Sequence, residues 1–417
     1  MKRLKIVVTT LAILLFAGCV ATAISYPFLG RTSQPDVGND SVFAPEEPSE
    51  NLDPDREPDS VSVTDPDLIP RPKYVRGLYM TGDVVGWAPE KRERIFQLVK
   101  ETGLNALVIN IKDDSGRITY KDTKVQLVLE ANANKNLIPS MDSLFAILRE
   151  EKIYPIARIV VAKDKFLWKV KPEWFLQHKD GGVWLDYGDM AWADLREEGY
   201  WQYLLEIAIE AAEAGFREIQ FDYVRWPNKG DGAASNLASI PPANMTTTGR
   251  YERTEVIVSF LRYAKEKLAG YNVEVSADIF GIMGTAQHEE TVGQQLELIL
   301  SSEIDIICPM MYPGHYANGV YNQPIPSLAP YNVIHSSAGD FLARMERAHT
   351  AVQFRPWLQD FNDRVSEKGK VKIYEYSVAE VHAQIQALED QGVKEFLFWN
   401  ASNIYTEEAF RSWQWDD

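Results

Sequence analysis

From Tyr74 to the end of the chain, short apolar runs of strand length alternate with longer stretches whose apolar residues recur at helical spacing. The strand-like runs are VRGLYM (75–80), ALVINI (106–111), YPIARIVV (154–161), EIQFDY (218–223), VEVSADI (273–279), IDIICPMMY (304–312), RPWLQDF (355–361) and EFLFWN (395–400). Helical patterns fall at 89–102, 140–151, 197–214, 252–269, 292–301, 339–352 and 378–391, several closing on TG, AG or QG, where glycine can take the left-handed cap. Eight strands separated by seven helices predict an α/β fold, a (β/α)8 TIM barrel with enlarged βα loops. An open doubly wound sheet is the alternative, but no Gly-rich phosphate loop follows the first strand.

Alternate residues of a barrel strand point inward, and active sites form at the C-terminal strand ends. On the fourth strand this sends Ile219, Phe221 and Tyr223 toward the helices and leaves Gln220 and Asp222 inside. On the fifth, Val273, Val275 and Ala277 face outward and Ser276 and Asp278 inward. The same parity turns Asn110, Lys112, Arg158, Met310, Tyr312, Trp357, Gln359 and Trp399 inward. Polar and aromatic side chains thus converge near the strand ends, a composition suited to a sugar site.

A carboxylate at the end of a buried strand costs several kcal/mol unless it is paired or used. Asp222 and Asp278 end adjacent strands, so their carboxyl groups are expected at the roughly 5 Å separation of retaining glycoside hydrolysis. One attacks the anomeric carbon while the other protonates the leaving oxygen. Two carboxylates this close also raise one pKa, which keeps an acid protonated near neutrality. The structural alternative is that Arg158 or Arg225 merely neutralises each of them. Around this pair, KDDSG (112–116) offers Asp114 beside Lys112 for sugar hydroxyls, or only a turn cap, and His315 follows PMMYPG near the expected mouth. The long loop after the third strand carries Trp168, Trp174, Trp184, Tyr187 and Trp192, of which one or two are expected to reach a pyranose face. The six histidines lack metal-ligand spacing and no Cys/His cluster exists, so neither a metal nor a cofactor is expected.

The net charge of −17 argues against a nucleic-acid partner and suits a neutral or cationic one. Lys2, Arg3 and Lys5 precede an apolar run, so residues 1–30 read as a signal peptide or membrane anchor. FAGC resembles a bacterial lipobox ending at Cys19, with Phe16 where that pattern has Leu; an uncleaved signal anchor is the other reading. Either form places the protein on the outer face of the cell membrane, which it touches only through this anchor or lipid. Residues 31–72, rich in Pro, Asp, Glu and Ser and without hydrophobic period, read as a disordered tether, and 73–417 as the barrel domain. Cys308, inside an apolar run, reads as a small core residue. Oligomeric state is left open.

YVRGLYMTG, GLNALVINIKDDSG, FREIQFDYVRWP, VSADIFG, PMMYPGHY, RPWLQDF and FLFWNASNIY together resemble a bacterial glycoside hydrolase domain family recognised by an FDYVRFP-like strand. Trp226 stands here in place of the family's usual Phe. The resemblance covers residues 74 to about 410 and implies a glycosidase-like TIM barrel in an exported protein, of undefined substrate. The chitinase-type run D-x-x-D-x-D-x-E is not present, because Val224 occupies the place of its terminal Glu. The expectation is a retaining hydrolase of an extracellular or envelope poly- or oligosaccharide, with Asp222 as nucleophile, Asp278 as acid/base, and Arg225 and Trp226 shaping the adjacent wall. A non-catalytic carbohydrate-binding barrel and a surface scaffold are the alternatives.

Overall fold

Eight parallel strands close on themselves: β1 (Arg76–Met80), β2 (Ala106–Lys112), β3 (Tyr154–Val160), β4 (Glu218–Asp222), β5 (Glu274–Phe280), β6 (Ile306–Met310), β7 (Trp357–Gln359) and β8 (Phe396–Trp399). Each pairs with its neighbour in sequence, and β1 pairs with both β8 and β2, which completes the barrel. The computed structural model describes residues 68–415 apart from 243–245, 248, 287–290 and 368–369. The expected signal peptide or anchor with Cys19, and the expected tether as far as residue 67, lie outside the described residues.

The helices α1 (Pro89–Glu101), α2 (Met141–Glu150), α3 (Glu198–Ala214), α4 (Glu252–Leu268), α5 (Leu296–Leu300), α6 (Pro330–Arg347), α7 (Val378–Asp390) and α8 (Glu407–Ser412) surround the strands. Outward strand residues such as Ile109, Ile219, Phe221 and Val275 are fully buried against them. Phe221 meets Phe260 of α4 edge to face at 5.2 Å, so truncating it to Ala should cost about 3–5 kcal/mol. Glycine closes α3 as its AG pattern predicts, with Gly215 at φ 118°. The TG after α1 does something else: Gly103 has Trp415 packed where a Cβ would sit, 2.3 Å from its ring.

Register and parity sort the barrel interior into layers of four, each supplied by alternate strands. The top layer holds Asn110, Asp222, Met310 and Trp399, and the second holds Tyr79, Arg158, Asp278 and Trp357. Below these lie Val108, Gln220, Cys308 and Leu397. Cross-strand contacts agree with this ordering. Trp357 bonds Asp278 at 2.7 Å within the second layer, and Gln220 faces the Cys308 sulfur at 3.4 Å within the third.

Some elements differ from the sequence pattern. Helix α6 begins at Pro330, nine residues ahead of the expected 339, because Pro at the first turn starts it while its polar surface weakens the period. The helix expected over 292–301 is only Leu296–Leu300, since the chain before it is a turn around Gly293 at φ 75°. Two insertions were not foreseen: short strands at Ile118–Tyr120 and Asn134–Ile138 after β2, and an antiparallel hairpin, Asp363–Glu367 with Lys370–Tyr374, after β7. Ordered packing also starts slightly before residue 73, with Ile69 buried and Arg71 bonded to Glu274 and Glu395.

Candidate active site

The C-terminal end of the barrel gathers three carboxylates around one guanidinium. Arg158, buried in β3, donates through Nε and Nη2 to Asp222 Oδ2 at 2.8 and 2.5 Å, through Nη1 to Asn110 Oδ1 at 2.8 Å, and through Nη2 to Asp114 Oδ1 at 2.9 Å. Asp222 Oδ1 accepts the Tyr223 amide at 2.6 Å. Both Asp222 oxygens thus accept from donors, Oδ2 from the guanidinium and Oδ1 from the amide. Asp114 and Asp222 share one nitrogen, which keeps those two oxygens within about 5.4 Å of each other.

Asp278 lies beside Asp222 in the continued β4–β5 register, where Phe221 pairs with Ala277. Its Oδ1 accepts Trp357 Nε1–H at 2.7 Å, and only 2% of the residue is exposed. Burial, and then the adjacent Asp222 charge, push its carboxyl well above the usual carboxylate range, against the Trp357 bond and Arg158. The two neighbouring acids thus differ in their partners, a guanidinium and an amide for Asp222 and one indole N–H for Asp278.

Aromatic rings form the floor and walls. Trp399 stacks on Tyr79 at 3.9 Å and meets Trp357 edge to face at 5.6 Å, with the Arg158 guanidinium 5.1 Å from its ring. Tyr312 stands above this floor, flanked at the mouth by the exposed His315 and by Phe361. Among the expected site residues, the structure brings Asp222, Asp278, Asp114, Asn110, Arg158, Tyr312, His315 and Trp399 together at this end of the barrel.

The others serve different ends. A bulge in β2 between Asn110 and Lys112 breaks the parity, and the Lys112 ammonium turns onto the Val160 and Lys163 carbonyls at 3.0 and 2.8 Å and the Asp164 carboxylate at 3.2 Å. It is fully buried and does not line the mouth. Gln220 does face inward, but two layers of side chains separate it from solvent. Gln359 is sealed between the Gly314 amide and the Phe361 carbonyl. Trp226 packs outside the barrel, fully buried, with Nε1 donating to the Arg253 carbonyl, so it shapes no wall of the site. Arg225 is a brace: it pairs with Asp231 at 2.7 Å and lies over the rings of Trp192, Tyr223 and Phe280. Of the third-loop aromatics, Trp184 and Trp192 are buried while Tyr187 is 77% exposed at the rim. Asp113, rather than Asp114, caps the KDDSG turn by accepting the Ser115 and Arg117 amides.

Sequence parity missed Tyr79 and misplaced Tyr223. Tyr79 shares the parity of Val75 and was legible as inward. Tyr223 follows Asp222 at φ 55°, and this left-handed residue ends the strand alternation.

The glycoside hydrolase domain of PgaB (BpsB) from Bordetella bronchiseptica superposes with a TM-score of 0.55 at 13% identity, over 82% of this chain and 98% of that one, and so shares the fold. A beta-galactosidase from the psychrophilic Marinomonas ef1 gives 0.50 at 12% identity, over 78% and 54% of the two chains. A hypothetical protein from Ruminiclostridium thermocellum ATCC 27405 is 37% identical over 48% of this chain and 96% of its own, with a TM-score of 0.41. No curated protein sequence matches. Residues 77–405, from β1 to beyond β8, match one domain family throughout, and the chain belongs to that family, described as "Putative glycosyl hydrolase domain".

Proposed function

We propose that the protein is a retaining glycoside hydrolase of an extracellular or cell-envelope poly- or oligosaccharide. The observation that carries this reading is the pairing of Asp222, ligated by Arg158 and the Tyr223 amide, with Asp278, whose carboxyl is pushed upward by burial and by Asp222. Asp222 attacks the anomeric carbon while the Asp278 proton passes to the leaving glycosidic oxygen, so the C–O bond breaks as the glycosyl ester forms. The Asp278 carboxylate then takes a proton from water, whose oxygen attacks the anomeric carbon as its bond to the Asp222 oxygen breaks, freeing Asp222. Trp399, stacked on the buried Tyr79, offers an aromatic face to the sugar, and Tyr312 stands above it.

A second reading exchanges Asp278 for Asp114 as the acid/base. It is favoured by the shared Arg158 nitrogen, which fits the roughly 5 Å retaining separation, and by the exposure of 47% of the Asp114 side chain. Release of reducing ends from peptidoglycan fragments, chitooligosaccharides and capsular glycans tests the activity itself. Aryl glycosides of graded leaving-group pKa then choose the acid. The variant of the true acid, Asp278→Asn or Asp114→Asn, should spare good leaving groups and slow poor ones. Binding without turnover across the panel would leave a carbohydrate-binding barrel.

Attachment to the outer membrane face, through lipid on Cys19 or an uncleaved signal anchor, belongs to the same proposal. A diacylglyceryl mass on Cys19 supports the lipoprotein form and an intact Met1 the anchor.

A further inference from the structure

Tyr223 holds a backbone conformation that its side chain opposes. At φ 55° it sits in the left-handed region, where a Cβ crowds the following carbonyl, and no glycine or asparagine has been placed there to relieve it. Such a residue persists only where its surroundings over-determine it, and those surroundings are on view. Its amide donates to Asp222 Oδ1 at 2.6 Å. The Lys163 ammonium and the Arg225 guanidinium lie 5.3 and 5.2 Å from its ring, and Trp192 meets it edge to face at 6.3 Å. Both cations are themselves fixed, Lys163 by Asp186 at 2.9 Å and Arg225 by Asp231 at 2.7 Å. Two βα loops therefore clamp the ring at the end of β4.

The clamp presents a phenol that donates to no group among the described residues. Most buried tyrosines around the barrel use their hydroxyl: Tyr200 bonds the Val161 carbonyl at 2.6 Å and Tyr154 the Glu274 carboxylate at 2.9 Å. Tyr223, which is partly exposed, makes no side-chain hydrogen bond among the described residues. Burial, followed by the Asp114 and Asp222 charges, holds its phenol well above the ordinary value, so it stays a neutral donor beside those two carboxylates. Ordinary strand geometry would have sent this ring toward the helices. The left-handed turn performs two tasks at once, returning the amide to Asp222 and setting the ring between the loops that follow β3 and β4, at the C-terminal end of the barrel.

We propose that Tyr223 is a substrate-contacting residue of this site, its phenol donating to a hydroxyl of the sugar that lies against Asp222 and Asp114. This rests on the glycoside hydrolase reading. The left-handed backbone is what places the phenol there, at a cost in stability.

Two measurements test the two halves separately. Tyr223→Phe keeps the ring, the clamp and the backbone and removes only the donor. On whichever peptidoglycan fragment, chitooligosaccharide or capsular glycan the wild type cleaves, it should lose about tenfold in kcat/KM with an unchanged melting temperature. Wild-type kinetics in Tyr223→Phe would overturn the contact. Tyr223→Gly and Tyr223→Ala both lack the ring and differ in tolerance of positive φ, so the glycine variant should melt about 2 °C higher. Equal or reversed melting temperatures would overturn the strained placement. Should the wild type cleave nothing in the panel, the glycosidase reading and the sugar contact fall together, while the melting comparison still decides the backbone claim.

Discussion

Two buried arginines sit in the same barrel, each against a buried carboxylate, yet only one group faces the mouth. Arg158, in the second layer, uses Nε, Nη1 and Nη2 on Asp222, Asn110 and Asp114, with Asp278 beside them. Arg355, near the lower end, pairs with Glu218, which also accepts from Ser276 Oγ; both charged residues are wholly buried. Burial raises the Glu218 carboxyl as it raises Asp278, and Arg355 opposes that rise. A buried ion pair and a raised carboxyl are therefore common to both and do not by themselves mark a site. What separates them is access. Below, Arg355 bonds Glu218 and lies 4.0 Å from Glu395, and Arg355 Nε and Nη1 and Glu218 Oε2 make no hydrogen bond among the described residues, under three layers of side chains. Above, one guanidinium bonds two acids with a third beside them, and one of the three is half exposed.

The largest effect should separate the two clusters by activity. Asp222→Asn should lower glycan hydrolysis by at least about a thousandfold while glycan binding survives, because the amide keeps the shape and loses the nucleophilic charge. Retained turnover would place the upper cluster with the lower one as structural. Next comes stability: Arg355→Met leaves Glu218 buried and unpaired and should cost about 3–5 kcal/mol in denaturant unfolding, with turnover per folded molecule unchanged. Adding Glu218→Leu should recover most of that loss, since an apolar pair of similar volume replaces the ion pair.

A smaller effect concerns a third buried acid. Asp360, just past β7, accepts the Thr406 amide at 2.8 Å and its hydroxyl at 2.7 Å, and burial raises its pKa from 3.8 to about 6. The folded state holds this proton more tightly than the unfolded chain does, so the stabilisation is complete below pH 3.8 and is lost as pH rises to about 6. Asp360→Asn should flatten that segment of the stability profile, a difference on the order of 2 kcal/mol across the window. A profile unchanged by the substitution would show that Thr406 compensates burial fully.

Much of this architecture was legible because a period of two survives in buried parallel strands. Asp222 and Asp278 stood out as carboxylates on inward positions, and the parity that placed them also placed Arg158 and Trp399. Parity says nothing of depth, however. Gln220 and Asp222 point the same way, but two residues of rise carry one into the sealed third layer and the other to the top. Local breaks in the alternation were equally silent: the bulge that redirects Lys112 and the left-handed Tyr223 both depend on tertiary partners, Val160 and Lys163 in one case and Arg225 and Trp192 in the other. Trp226 misled because it adjoins Asp222 in sequence, while the turn at Tyr223 sends it outward to α4.

The division of labour between the two acids can be read without any substrate. Carbon-13 carboxyl NMR, with signals assigned through Asp222→Asn and Asp278→Asn, should show Asp278 titrating well above the usual carboxylate range. Removing the Asp222 charge should shift the Asp278 titration downward, because that charge is the second cause of its elevation after burial. An Asp278 that titrates in the ordinary carboxylate range, or that is indifferent to Asp222→Asn, would contradict the pairing of a charged nucleophile with a protonated acid.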